Sequence, residues 1–541
     1  MGLYNRLIIS KHVPHYLYME GGGANDELSS TPHAEGSSTI AKGIASHAEG
    51  ANTIASADFS HAEGANTFAI GNSSHAEGNS TVACGNSSHA EGSHTTTGTP
   101  NDVLKGDSAH AEGAHTIAEG TASHAEGSST IAKGIASHAE GANTIASADF
   151  SHAEGANTFA IGNSSHAEGN STVACGNSSH AEGSHTTTGT PNDVLKGDSA
   201  HAEGYLTIAY GNASHAEGNS TNTYGDFSHT EGSYTTTGDS EDTLQGENAH
   251  AEGYFTTAYG DSSHAEGYFA FAKGDFSHAE GFYTIAPGTA SHAEGAHTIA
   301  KGDFSHVEGV DTQAAGDFSH VEGRGNISQF EGAHIIGKYG DAQESYSWFI
   351  GNGISSNNKE IGAKWLSSTR NMYIDGTTYV AGGTNYAEMF EVRSGTIDVG
   401  FFVTFDGEYI RKATSQDDYI LGITSTTSSI LGNSAEMRWK EKYLLDEWGR
   451  LLYENPISLE KFKKKAILNP NWDPEKEYIS RLVRPEWVSV GLIGQIRVRD
   501  DGTCVAGGYC FPNMEGVATK GIKGYRVIKR INLEQILIML K

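Results

Sequence analysis

The sequence predicts an all-β protein, a parallel β-solenoid of 14-residue coils followed by a separate β-rich C-terminal domain. Three observations lead there. His-x-Glu-Gly occurs twenty times between His33 and Glu322, and sixteen of the nineteen intervals between successive His residues are 14 residues long, the other three being 21. A period so short and strict is that of stacked coils. Each 14-mer holds two heptads of the form x-Ala-x-Gly-x-x-Ser/Thr, as in His33 to Thr39 and Ile40 to Ser46. All six Trp lie at or beyond Trp348, outside the repeats, so the end of the chain is built on a different plan.

Residues 1–32 carry no repeat. Met1-Gly-Leu-Tyr-Asn-Arg-Leu-Ile-Ile-Ser10 lacks a secretory apolar core of adequate length, and no apolar run of about 18 residues occurs in the chain. Neither an export signal nor a membrane anchor is therefore expected, and no membrane insertion.

Residues 33–332 form the repeat region. A heptad period also suits a coiled coil, but that needs large apolar residues at two positions in seven, where this chain has Ala, Gly, Ser and Thr. A Gly in every heptad would also cost a helix about 1 kcal/mol each time. In a strand the side chains alternate, so in His47-Ala48-Glu49 the Ala points one way while His and Glu share the other. Ala48 and Ala55 are expected to line a narrow interior, with Gly50 and its equivalents at the bends. Each coil offers only two Ala and one Ile, Val or Phe for burial, as with Ile54, Phe68 and Val82. That is little against about 1.5 kcal/mol per residue of lost conformational entropy. Copies gathered around a common axis would supply the missing burial, so an obligate oligomer is expected.

Residues 33–113 recur unchanged as residues 124–204. A segment copied whole carries no unique catalytic arrangement, and the shaft reads as spacer and display surface. The 21-residue intervals follow His89, His180 and His229, each adding a heptad such as Thr96-Thr-Gly-Thr-Pro-Asn-Asp102. Its Gly, Pro, Asn and Asp predict a protruding loop, because seven residues inside the coil would misalign its faces. These loops, and the variable positions after each Gly, are either receptor contacts or plain decoration.

Stacking places His over His and Glu over Glu. Such columns suit metal chelation or a pH-sensitive surface, or simply a ladder in which His and Glu bond to one another and keep carboxylates apart. No four-ligand cluster interrupts the repeat, so neither a metal nor a cofactor is expected. Protonating all 27 His would move the formal charge from −31 to about −4, and with it the shafts should become less soluble near pH 5. Tyr205, Tyr254, Phe255, Tyr268, Phe269, Phe282 and Tyr283 cluster after the duplicated segment. They are compatible with a glycan depolymerase, with a recognition patch, or with a thicker core.

From residue 386 to the end there are 22 Lys/Arg and 21 Asp/Glu, a balance of +1, against 13 and 45, or −32, in the remainder. The acidic shaft argues against nucleic acid and anionic membrane as partners. Cys84 and Cys175 are copies of one another about six coils, or roughly 30 Å, apart, too far to join. Cys504 and Cys510 are close enough in sequence to face each other across a hairpin, and reduced thiols are expected.

The Ala-x-Gly 14-mer resembles the left-handed β-roll head repeat of trimeric adhesins, in a His-Ala-Glu-Gly version similar to repeats of bacteriophage tail fibres and neck appendages. The likeness implies a homotrimer. For a phage fibre it implies assembly in the host cytoplasm, attachment to the particle through residues 1–32, and a host surface glycan or protein as receptor. A cell-surface trimeric adhesin is the alternative with the same repeat. Residues 333–384 read as a neck, with short strands around Trp348-Phe-Ile-Gly-Asn-Gly-Ile354 and Asn371 to Gly383.

Thr384-Asn-Tyr-Ala-Glu-Met-Phe-Glu391, Ile420-Leu-Gly-Ile423, Val490-Gly-Leu-Ile-Gly-Gln495 and Val498-Arg-Asp-Asp-Gly-Thr-Cys504 resemble, in the same order, the intramolecular chaperone domain classed as peptidase G2. The likeness covers about residues 385–541. It implies a domain that brings three chains into register and then cuts itself from the shaft. Repeats pair out of register at little local cost, so a C-terminal trimerising domain has to fix the alignment. The resemblance maps a catalytic carboxylate onto Glu388 and the scissile bond to Thr384–Asn385. Asp500, Asp501 or Glu391 is implied as the charge that tunes it, with Thr384 as an alternative nucleophile. Asp is usual in the family where this chain has Asn385, which puts cutting in doubt. An ordinary strand carboxylate paired with Arg393 or a neighbour is the competing reading of Glu388.

Overall fold

The computed structural model describes residues 32–99, 105–190, 196–240, 245–435, 442–454 and 466–541. The expected attachment segment, residues 1–32, therefore lies almost wholly outside the described residues, as do the tips of the three loops. The chain divides into two compact units, the first ending at Asp375 and the second running from Gly376 to Lys541.

The first unit is a parallel β-solenoid. Most coils have a five-residue strand, such as His47–Ala51, and a two-residue strand, such as Ile54–Ala55; at His306–Val307 and His320–Val321 the longer strand shrinks to two residues. Equivalent residues pair from coil to coil: His47 with His61 and Ile54 with Phe68. Two left-handed positions turn the chain, seen at Asn52 (φ 57°) and Phe59 (φ 59°). Their amides donate to the preceding coil, Asn52 to the Ser37 carbonyl at 2.9 Å and Phe59 to the Ile44 carbonyl at 2.7 Å. An Asp or Asn beside the second turn receives a further amide, as when Ile135 N–H donates to Asp149 Oδ1 at 2.8 Å. At Gly50, with φ +116°, a Cβ would lie 2.0 Å from the Gly64 carbonyl oxygen. Only glycine fits there.

The interior holds four small side chains per coil, for example Ala48, Thr53, Ala55 and Ser60, each at most 1 % exposed. The Ser hydroxyls turn back on the chain, Ser46 Oγ donating to the Gly43 carbonyl at 2.8 Å. The expected Ala lining is present, but the apolar residue credited to the coil is not inside. Ile54, Phe68 and Val82 immediately precede buried Ala residues in the short strand, so alternation turns them outward, where they stand half-buried.

Toward the C-terminal end the lining enlarges. Ala293, Val307, Val321, Ile335 and Phe349 occupy one column and are all fully buried. The coil period thus runs on past residue 332, with His334 paired to Trp348. Two antiparallel strands, Ile361–Trp365 and Met372–Ile374, follow.

The extra residues of each longer interval do not enter the stack, but the excursion starts at Gly98 and not at Thr96 as the sequence suggests, because Thr96 and Thr97 stay paired within the coil. His89 pairs directly with His110 and Thr96 with Ile117. Gly98 and Gly106 close the excursion: a Cβ on Gly106 would lie 2.3 Å from the Gly98 nitrogen. The added heptad therefore leaves and rejoins the coil at one point.

The second unit is a curled sheet of mostly antiparallel strands around the long strand Trp487–Arg499. Phe402, Ile423, Ile496, Val498, Ile536 and Ile538 pack on one side of it, and Val403, Ile410 and Val490 belong to a second cluster. Among its described residues the single helical element is the 3-10 turn Arg481–Val483. Among the described residues no helix is long and apolar enough to cross a membrane.

Candidate functional site

The strand Asn385–Glu391 lies between two others, antiparallel to Trp487–Arg499 and parallel to Ser428–Gly432. Its pairing slips at both neighbours close to Asn385, Tyr386 and Ala387, so the ladder is irregular where the resemblance puts the scissile bond. The Thr384–Asn385 peptide is held from several sides. Thr384 N–H donates to the Thr427 carbonyl at 2.8 Å, and the Thr384 carbonyl accepts from Gln495 N–H at 3.0 Å. Thr384 Oγ1 donates to the Gln495 carbonyl at 2.6 Å. Gly494 has φ +119°, and a Cβ there would sit 2.5 Å from the Thr384 carbonyl oxygen.

Asn385 is buried. Its amide nitrogen donates to Ser425 Oγ and to the Thr427 carbonyl, both at 3.1 Å, while its Oδ1 has no hydrogen-bond partner. A carbonyl facing position 385 calls for a donor there. An Asp at this position would meet it best in protonated form, and Asn supplies the same donor permanently. Ser425 also lines an adjoining polar cavity of about 210 Å³ with Thr427, Arg497, Arg499 and Gln535.

The structure distributes the other implied residues. Glu388 is half-exposed on the face opposite Asn385, and Tyr386 donates its hydroxyl to Glu388 Oε1 at 2.5 Å. Four residues of strand separate Glu388 from Thr384, about 13 Å. Arg393 instead pairs with Asp406, so it is not the partner of Glu388. Asp500 is 6 % exposed, pairs with Arg530 and accepts the Cys504 amide at 3.3 Å. Burial works against the Asp501 charge, but bonds from Thr503 and Thr519 hold its carboxyl below the usual range. Both lie about 16 Å or more along the strand from Gln495. Thr384 and Asn385 thus share one cluster, with Glu388 and the aspartates in two others. Ser425, Thr427 and Gln495 join the first without having been singled out. The hydroxyl run Thr424-Ser-Thr-Thr-Ser-Ser429, directly after Ile420-Leu-Gly-Ile423, was the available signal.

The shaft presents two further arrays. From His61 to His334 the imidazoles stack with planes 2–10° apart and centroids 4.5–4.9 Å apart. Groups such as His75, Glu77 and His89 come within metal-ligating reach of one another. Parallel rings, however, aim their nitrogen lone pairs parallel, and an ion midway between two rings would lie well out of both planes. The exposed rings form two adjoining columns. Tyr254, Tyr268 and Phe282 stack at 5.2–5.3 Å, and Tyr234, Phe255, Phe269 and Tyr283 at 4.6–4.9 Å. Their faces are taken by one another and mainly edges meet solvent, which suits a contact patch better than a bed for stacked sugars.

Residues 336–534 match Peptidase G2, the IMC autoproteolytic cleavage domain, and residues 62–88 and 153–179 match the YadA head domain repeat. The pre-neck appendage protein of Bacillus phage B103 is 40 % identical over 164 residues, and that of Bacillus phage phi29 is 36 % identical over 162, each match covering 29 % of this chain. The chain spans 19 % of the length of these curated relatives. The crystal structure of the phi29 gene product 12 C-terminal fragment is 32 % identical, with 29 % of this chain and 100 % of the fragment covered and a TM-score of 0.27.

Proposed function

From the match of residues 336–534 to the Peptidase G2 domain and the partial likeness to the pre-neck appendage proteins of Bacillus phages, we propose that this chain is a homotrimeric fibre of a phage particle. Residues 1–32 fasten it to the particle, and the shaft carries it to a glycan or protein on the host surface. The observation that carries the trimer is the outward column Ile117, Ile131, Ile145, Phe159 and Val173, half-buried and unbroken over five coils. In one chain this column has nothing of its own size to pack on, and only a partner with the same coil spacing matches it along its length. Analytical ultracentrifugation should find a trimer, and a folded, soluble single chain would rule the reading out. The exposed Tyr and Phe columns and the three loops are the contact surfaces for the receptor.

The C-terminal domain aligns the copies and then cuts near Thr384–Asn385, within the cytoplasm of the producing cell. A donor amide on the Thr384 carbonyl is the arrangement that stabilises a developing oxyanion. A chain's own Glu388 points away from that peptide, so a carboxylate reaching it comes from another copy; the alternative, Thr384 Oγ1 attacking the Gly383 carbonyl in a five-membered N-to-O shift, would cut one bond earlier, before Thr384. The first route ties cutting to prior assembly. Expression of the full chain followed by a denaturing gel and intact-mass measurement tests this. Fragments ending at residue 384 are expected, and reduced cutting in Glu388→Gln. Only full-length product, identical in Glu388→Gln, excludes self-cleavage.

A further inference from the structure

The imidazole column takes no part in the assembly or processing proposed above. Every column Nε2 from His47 to His334 is shut away from solvent without a hydrogen-bond partner. In most coils it lies 3.5–4.0 Å from the carboxylate of its own coil, as in His47–Glu49 and His166–Glu168, and 4.0 Å away in His152–Glu154. That is near enough to feel the charge and too far for a good hydrogen bond. A proton taken up there is withdrawn from water and sits one coil spacing from the next imidazole. The charged groups acting on His152 are His166 in the adjacent coil and Glu154, Glu140 and Glu168 in its own and the two flanking coils. The short strands behind contribute only Ala146 and Ala160 to the interior.

We propose that this column makes the shaft an acid-sensitive element: on mild acidification its coils lose stability together, while the C-terminal unit, which has no histidine, keeps its fold.

Burial first, and then the neighbouring imidazoles, lower the proton affinity of thirteen column residues between His47 and His320, against the pull of the carboxylates. A folded-state value below the unfolded one fixes the sign. The contribution to stability is whole above the unfolded imidazole value of about 6.5 and is lost as pH falls from there through the folded values. Each step is small, because the side chains are about a third exposed and screened. Repetition along one cooperative stack makes the sum large.

The test is thermal unfolding of the intact chain at fixed concentration from about pH 8 to about pH 5. Circular dichroism follows the shaft, and fluorescence follows the C-terminal unit, which holds four of the six Trp. The shaft transition should fall by at least about 5 °C while the other moves little. A shaft transition that holds or rises over this range overturns the proposal. So does an imidazole titration of the native protein, read from ring-proton resonances, with midpoints at or above the free value. Joint replacement of His124, His138, His152 and His166 by Gln should flatten the pH slope, and an unchanged slope counts against the column. Should that variant not fold, the wild-type titration decides alone.

Discussion

The two units reach an all-β fold by opposite means. In the shaft nothing larger than Ala or Thr fills most coils, and order comes from identical residues repeating one coil apart, with the glycine of each His-x-Glu-Gly motif pressed on the next coil's backbone. In the C-terminal unit Phe402, Ile423, Ile496 and Ile538 interlock irregularly, and no position repeats. A repeated fold is limited by clearance, because backbone meets backbone. A packed fold is limited by volume, because each large side chain has one place to go.

The largest effect should come from violating clearance. Gly141 has φ +112°, and a Cβ there would lie 2.1 Å from the Gly155 carbonyl oxygen. Gly141→Ala should cost more than about 4 kcal/mol, read as loss of the shaft's cooperative melting with the C-terminal unit untouched. An unaltered melt would mean that the coils flex far more than the contrast allows. Next is removal of volume. Phe402→Ala should cost about 3–5 kcal/mol in the C-terminal unit, measured by denaturant unfolding with the shaft as internal reference. Ala139→Val sharpens the comparison, since Val already occupies the same column at Val307 and Val321. In a narrow coil it should cost about 1–3 kcal/mol, and a stabilised shaft would show spare room where the contrast predicts none. The smallest effect is colloidal. As imidazoles charge and the acidic shaft loses net charge, light scattering should rise between about pH 7.5 and pH 5, and a flat signal would remove that expectation.

Much of the shaft was legible because its period is exposed in the sequence. Ala48 and Ala55 inside, Gly50 at a bend and a looped-out heptad in the interval after His89 all follow from alternation and register. The outward place of Ile54 runs against its size and follows from its parity. Thr53-Ile54-Ala55 puts Thr and Ala on one face and Ile on the other, a reading the alternation rule already contained. The processing region was less legible, since its partners are brought together across long separations. Asn385 meets Ser425 and Thr427, and Thr384 meets Gln495, through strand pairings that no local pattern announces. Motif order found the strand, but it said nothing of Glu388 pointing to the other side.

The column that widens from Ala293 to Phe349 also gives the solenoid a polarity in time. Coils with large fillers hold one another with few neighbours, whereas alanine coils need a finished surface to settle on. Nucleation belongs at the broad end, which leaves the ribosome after every narrow coil has been made. Zippering from that end would run opposite to translation.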